Sequence, residues 1–187
     1  MKTDLERIDE AYKKTISARN FHYESFNKWM TYYYVAVAAL FVAMYSGKCD
    51  SNIHALSLVG FVISSLWHLS CKGYYFWIHN WSKLVMRYEN ELPDIERVYS
   101  VFSKQVANST SSLIITKSAN ISTSKATLVF SFVVVVYWCY MLVSNTYWLT
   151  IGRNICNYIF LSVLISFAFL WILGKILTSD IDSHKLI

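Results

Sequence analysis

The chain has one proline and five glycines in 187 residues, too few for turn-rich β structure, collagen or a flexible linker. Long uninterrupted helices are expected instead. Charge is also scarce, at 16% Asp, Glu, Lys and Arg, against about 25% in an ordinary soluble domain. The four cysteines, Cys49, Cys71, Cys139 and Cys156, show no CxxC spacing, so neither a disulfide framework nor a metal-site pattern is indicated. The GxGxxG, Walker A, HExxH and GxSxG signatures are missing, and no acidic residue falls inside an apolar run. A non-catalytic protein without cofactor or metal is the expectation. The basic residues alternate with acids, as in Arg87-Tyr88-Glu89 and Asp94-Ile95-Glu96-Arg97, and do not form the single-signed stripe of a nucleic-acid surface.

What the chain does have is apolar length. Hydrophobic residues make up 55% of it and aromatics 17%, and mean hydropathy is +0.34, which points to lipid as the solvent. Four stretches are near the length that crosses about 30 Å of hydrocarbon: 29–45, 53–71, 126–143 and 155–177. The first two are joined by a short polar link at 47–52, and the last two by a link containing Asn145, Gly152, Arg153 and Asn154. In hydrocarbon such segments must be helices, because repeated short alternating strands for a closed barrel are absent. The expected fold is therefore all-α, a polytopic membrane protein with four transmembrane helices in two hairpins and helical cytoplasmic extensions. In segments, it reads as an amphipathic N-terminal helix at 1–28, a first transmembrane hairpin at 29–72, a helical and loop segment at 73–125, a second hairpin at 126–177 and a tail at 178–187. The first 28 residues are amphipathic and charged, which is not the pattern of a cleaved signal peptide.

Orientation follows from lysine and arginine. Fifteen of the seventeen lie in the N-terminal, central and tail segments or, as Lys72 and Lys175, at the span ends that adjoin them, leaving only Lys48 and Arg153 at the hairpin tips. The positive-inside rule then puts both termini and the central segment in the cytoplasm. Trp29 with Tyr32, Tyr33 and Tyr34, then Trp67 and Tyr74, then Tyr147 and Trp148, are suited to interfacial depth.

The segments outside lipid carry their own pattern. Thr3 and Glu6 fit a reciprocal helix cap, after which Leu5, Ile8, Tyr12, Ile16, Tyr23, Phe26 and Met30 recur at helical spacing. Past the second span, Tyr74, Trp77, Trp81, Tyr88 and Leu92 share a stripe, while Lys83, Arg87 and Glu91 share another; Pro93 then stops the helix. A helix reaching from Ile53 to Leu92 would be roughly 60 Å long at about 1.5 Å per residue. A single copy has difficulty covering such aromatic stripes, so Tyr74, Trp77, Trp81 and Tyr88 are candidates for contacts between identical chains. Within the spans, Ala36, Ala39 and Ala43, then Ser57, Gly60 and Ser64, then Ser162 and Ser166 form small-residue seams that allow close helix packing. His68, one turn from Lys72, reads as an interfacial structural histidine. Asn108-Ser109-Thr110 and Asn120-Ile121-Ser122 match glycosylation sequons, which a cytoplasmic loop leaves unused.

Three landmarks resemble the RipA family of octameric bacterial inner-membrane proteins: residues 18–26 (ARNFHYESF), Trp67 followed by Lys72-Gly73-Tyr74-Tyr75-Phe76-Trp77 and Asn80-Trp81-Ser82-Lys83, and Ser122-Thr123-Ser124-Lys125. The resemblance covers roughly residues 12 to 143; the fourth span and the tail bearing Asp180 and Asp182 depart from it. It implies an inner-membrane homo-oligomer with a cytoplasmic assembly layer and no defined catalytic activity. Three roles remain open at this point: a membrane scaffold or channel-like assembly, a membrane-disrupting effector of an antiphage or stress system responding to a cytoplasmic signal, and an accessory subunit of a transporter or enzyme complex.

Overall fold

A computed structural model describes residues 3–46, 52–92, 123–145 and 155–177. These contain four helices: α1 (Asp4–Tyr45), α2 (Ile53–Glu91), α3 (Thr123–Asn145) and α4 (Ile155–Leu177). No strand occurs among the described residues. The hairpin tips, the segment at 93–122 with its two sequons, and the tail lie outside them.

Helix α1 starts where its cap forms. The Thr3 amide donates to Glu6 Oε2 at 2.9 Å, and the Glu6 amide donates to Thr3 Oγ1 at 3.4 Å, which satisfies two donors that a helix N-terminus leaves open. Asp4 and Glu6 in the first turn also suit the positive end of the helix dipole. With neither Pro nor Gly in its 42 residues, nothing interrupts it before Tyr45. Helix α2 ends two residues ahead of Pro93, whose ring disfavours helical backbone at Leu92; the Leu92 amide still donates to the Tyr88 carbonyl at 3.2 Å. Its 39 residues make a rod of about 58 Å at about 1.5 Å per residue.

Among the described residues, α2, α3 and α4 are long and apolar enough to cross a membrane. The sequence suggested four such segments. The apolar part of α1 falls short because it opens with Trp29, Thr31 and three consecutive tyrosines, whose polar groups lower its hydropathy.

The chain divides into two compact units. The first comprises Met1–Tyr32 and Ser70–Val129, the second Tyr33–Leu69 and Phe130–Ile187. In the first, α1 and α2 run antiparallel along a ladder of contacts. Tyr12, Val85 and Leu92 form a buried cluster with Ile8, Ile16 and Tyr88 against it. One level on, His22 meets Trp77 and Trp81, then Phe26 meets Tyr74, and the Cys71 thiol approaches Met30 Sδ at 3.5 Å. The helical stripe read from the sequence therefore does face inward at Tyr12, Phe26 and Met30, whereas Leu5 and Tyr23 stay exposed.

In the second unit, Gly60 of α2 lies directly under the Trp138 indole of α3, and a Cβ there would overlap the ring. Phe41 of α1 covers the same indole with a centroid separation of 5.2 Å. Trp67 is fully buried between Tyr33, Tyr34 and Phe130, so its ring is a packing element of the bundle. Helix α4 joins through Phe169 on Phe61 and Phe167 on Phe132.

The two glycines of α2 are expected to respond in opposite directions. Gly60→Ala forces the Trp138 ring to move and should cost about 1–3 kcal/mol, the usual penalty for overpacking. Gly73 faces open space, with nothing within 4 Å of the point a Cβ would occupy. Alanine should be tolerated there and gain about 0.5–1 kcal/mol from the lost backbone freedom. Thermal unfolding of the two detergent-solubilised variants beside the parent chain measures both.

Candidate assembly site

The residues with the most distinctive surroundings lie on the first unit, where α1 presents His22 to α2. The imidazole stacks on Trp77 at 6.3 Å and 9°, and on Trp81 at 5.8 Å and 27°. Helical spacing explains the arrangement: Trp77 and Trp81 are four residues apart and so stand one above the other on one face. Phe26 packs edge-on against Tyr74 one turn along, and Arg19 lies over the Tyr23 ring with its guanidinium carbon 5.7 Å from the centroid.

Each of the four candidate contact residues has a definite place in this ladder. Tyr74, Trp81 and Tyr88 are partly buried and meet Phe26, His22 and the Tyr12 cluster of their own chain. Trp77 keeps 39% of its surface exposed and stands beside Phe76, which is 51% exposed. Phe21, on α1, is 66% exposed. Phe21 and Phe76 belong to neither apolar stripe, so hydropathy patterning passes over them; the signal in the sequence was a large aromatic ring set among polar neighbours. Glu89 is a further departure. It lies outside the apolar runs, as every acid of the sequence does, yet it is fully buried, because it follows Val85 by four residues and shares its inward face. It is not left without a partner.

Within the second unit the small-residue seams separate into buried and open groups. Ser57, Gly60, Ser64, Ser162 and Ser166 are buried, Ala36 and Ala43 are half-buried, and Ala39 is exposed. The serine hydroxyls largely bond their own helices: Ser64 Oγ donates to the Gly60 carbonyl at 2.7 Å, Ser65 Oγ to the Phe61 carbonyl at 2.7 Å, and Ser162 Oγ to the Tyr158 carbonyl at 2.6 Å. Back-bonding of this kind satisfies a hydroxyl without any partner helix. The Cys139 thiol sits against the Ser162 and Ser166 side chains. Between α2 and α3 a direct polar contact runs from His68 Nδ1 to Ser131 Oγ at 3.0 Å, with Phe132 tilted against the imidazole. His68 therefore ties α2 to α3, a partner that the sequence does not reveal because Ser131 lies 63 positions away. Tyr45 and Tyr137 join their hydroxyls in the same unit.

Among the described residues no three His, Cys, Asp or Glu side chains gather where they could hold a metal ion. The chemistry on offer is aromatic contact and helix packing.

The His68 and Ser131 pair is expected to behave as an interhelical link. In a double-mutant cycle of His68→Ala and Ser131→Ala, unfolding free energies should show coupling of about 0.6 kcal/mol, the average for such bonds in a membrane. Strict additivity would mean that the contact does not hold the helices together.

Compared with known protein families, residues 9–148 match the octameric membrane protein family, 8xMP. Neither a curated protein nor a solved structure matches the chain.

Proposed function

Because the chain belongs to the octameric membrane protein family, with most of its length covered by the match, we propose that it works as a homo-octamer: a non-catalytic scaffold in the bacterial inner membrane. The observation that carries this reading is the match itself, and the exposed aromatic rings of the first unit support it. A polar protein surface does not ordinarily leave Phe21, Phe76 and Trp77 in the open, and grouped exposed apolar surface marks an interaction site.

In this reading all four apolar segments cross the bilayer in two hairpins. The first span is the apolar half of α1, with its tyrosines at interfacial depth, where amphipathic rings are favoured. Both termini and the central segment stay in the cytoplasm, in keeping with the distribution of lysine and arginine. The octamer then assembles through the first unit, and Trp77 gives each copy an exposed indole edge to offer a neighbour.

A scaffold is preferred to a pore on chemical grounds. Ser64, Ser65 and Ser162 are buried within one chain and bond their own backbone, so their hydroxyls do not favour a shared hydrated path. The outward residues of the second unit are Val35, Val42, Leu58, Val62, Val133, Phe160 and Phe167, a surface suited to acyl chains.

Native mass measurement of the detergent-solubilised protein is expected to give eight copies. The double change Trp77→Ala with Trp81→Ala should dissociate the assembly while membrane insertion is retained, since an aromatic that a neighbouring copy covers costs about 3–5 kcal/mol to truncate and these two rings also hold His22. An intact octamer in the double variant would place the contacts elsewhere, and a monomeric parent chain would refute the octameric reading. Induced expression with a membrane-potential dye should leave polarisation unchanged; depolarisation would favour the membrane-disrupting role.

A further inference from the structure

Closed rings of identical subunits with more than two members use head-to-tail contacts, in which two different faces of the same protein meet. The first unit has two such faces. One is the exposed side of α1, with Phe21 between the exposed carboxylates of Glu10 and Glu24; the other is the exposed side of α2, with Phe76 between the exposed cations of Lys72 and Arg87. Lys14 and Lys28 share the Phe21 face with the two acids, so the two faces attract in the register that sets Glu10 and Glu24 on the cations around Phe76 and not in others. We propose that the α1 face of one copy seats on the α2 face of the next, with Phe21 against Phe76, Glu24 beside Lys72 and Glu10 beside Arg87. The inference rests on the octameric reading above and names its contact surface.

The contact ladder fixes the register. Phe26 stands level with Tyr74, and Met30 with Cys71, so each step along α1 matches a step back along α2. A membrane holds every copy of a ring at one height, so neighbouring copies meet near this same level. At strictly equal height Lys28 would face Lys72 and Lys14 would face Arg87, which repels. Sliding by about one turn, about 5.4 Å, brings Glu24 to Lys72, Glu10 to Arg87 and Phe21 to Phe76 together. A helix tilt of about 20° supplies most of that offset across an interaxial spacing of about 8–10 Å. Lys14 and Lys83 then stand close to one level, and their flexible stems let the ammonium groups extend into water. The Arg87 guanidinium already pairs with Glu91 at 3.1 Å, but its side chain remains 74% exposed, which leaves donors of its fork for a second carboxylate.

Disulfide trapping in full-length protein tests the proposal. With Cys49 and Cys156 replaced by serine, one preparation carries Phe21→Cys and a second carries Phe76→Cys. Co-expressed and mildly oxidised in membranes, the two should give a cross-linked dimer that neither gives alone; both changes in one chain should give a ladder up to eight. Charge reversal is the second arm: Glu24→Lys or Lys72→Glu alone should deplete the octamer in native mass spectra, and the two combined should restore it. Cross-linking by Phe21→Cys alone would mean that like faces meet, overturning the head-to-tail contact. An intact octamer that yields no mixed dimer and ignores the charge reversals would overturn this interface while leaving the octameric reading in place. A parent chain that is monomeric in native mass spectra would overturn both.

Discussion

In hydrocarbon a backbone amide finds no water, so its hydrogen bond must close within the segment that carries it. Long helices follow from that constraint, and so does the form of the rest of the protein. A rod such as α2 exposes side chains all along its length, and each must find either lipid or another side chain. The aromatic ladder between α1 and α2 is the answer in the first unit: rings of His22, Phe26, Tyr74, Trp77 and Trp81 cover one another in sequence. In the second unit the answer is close approach, with glycine and serine admitting neighbouring helices and indole rings filling the space between them.

These two devices do different work. Aromatic contacts tolerate small shifts, since stacked and edge-on arrangements differ little in energy, and they leave part of each ring available for a further contact. Trp77 shows this, with one face on His22 and a substantial exposed remainder. The buried serines Ser64, Ser65 and Ser162 have committed their hydroxyl protons to their own helices, which leaves shape as their contribution. Three helices long and apolar enough to cross a membrane, α2, α3 and α4, fit the octameric membrane protein family to which the chain belongs.

Much of the helical architecture was legible in the sequence, and for identifiable reasons. Thr3 and Glu6 announce the start of α1, Pro93 the end of α2, and unbroken apolar runs the extents of α3 and α4. Periodicity also marked Tyr12, Phe26 and Met30 as inward-facing. It said less about partners, because a stripe shows which side is apolar and is silent on what covers it. The stripe of Tyr74, Trp81 and Tyr88 finds rings and aliphatic groups on α1 of the same chain, and the His68 to Ser131 bond joins positions far apart in sequence. The run at 29–45 reads as a span from its apolar stretch at 35–44, while the three tyrosines ahead of that stretch lower its hydropathy. Glu89 was hidden because a carboxylate inside a packed face contradicts its residue type.

The seat of Trp138 on Gly60 has a mechanical consequence. A flat ring keyed into the absence of a side chain acts like a tooth in a notch: α3 cannot turn about its own axis, or slide past α2, without first lifting the indole out. Bilayers of different thickness would then be accommodated by leaning the pair as one piece. The angular setting of α3 on α2 is thus keyed by side chains of the protein itself.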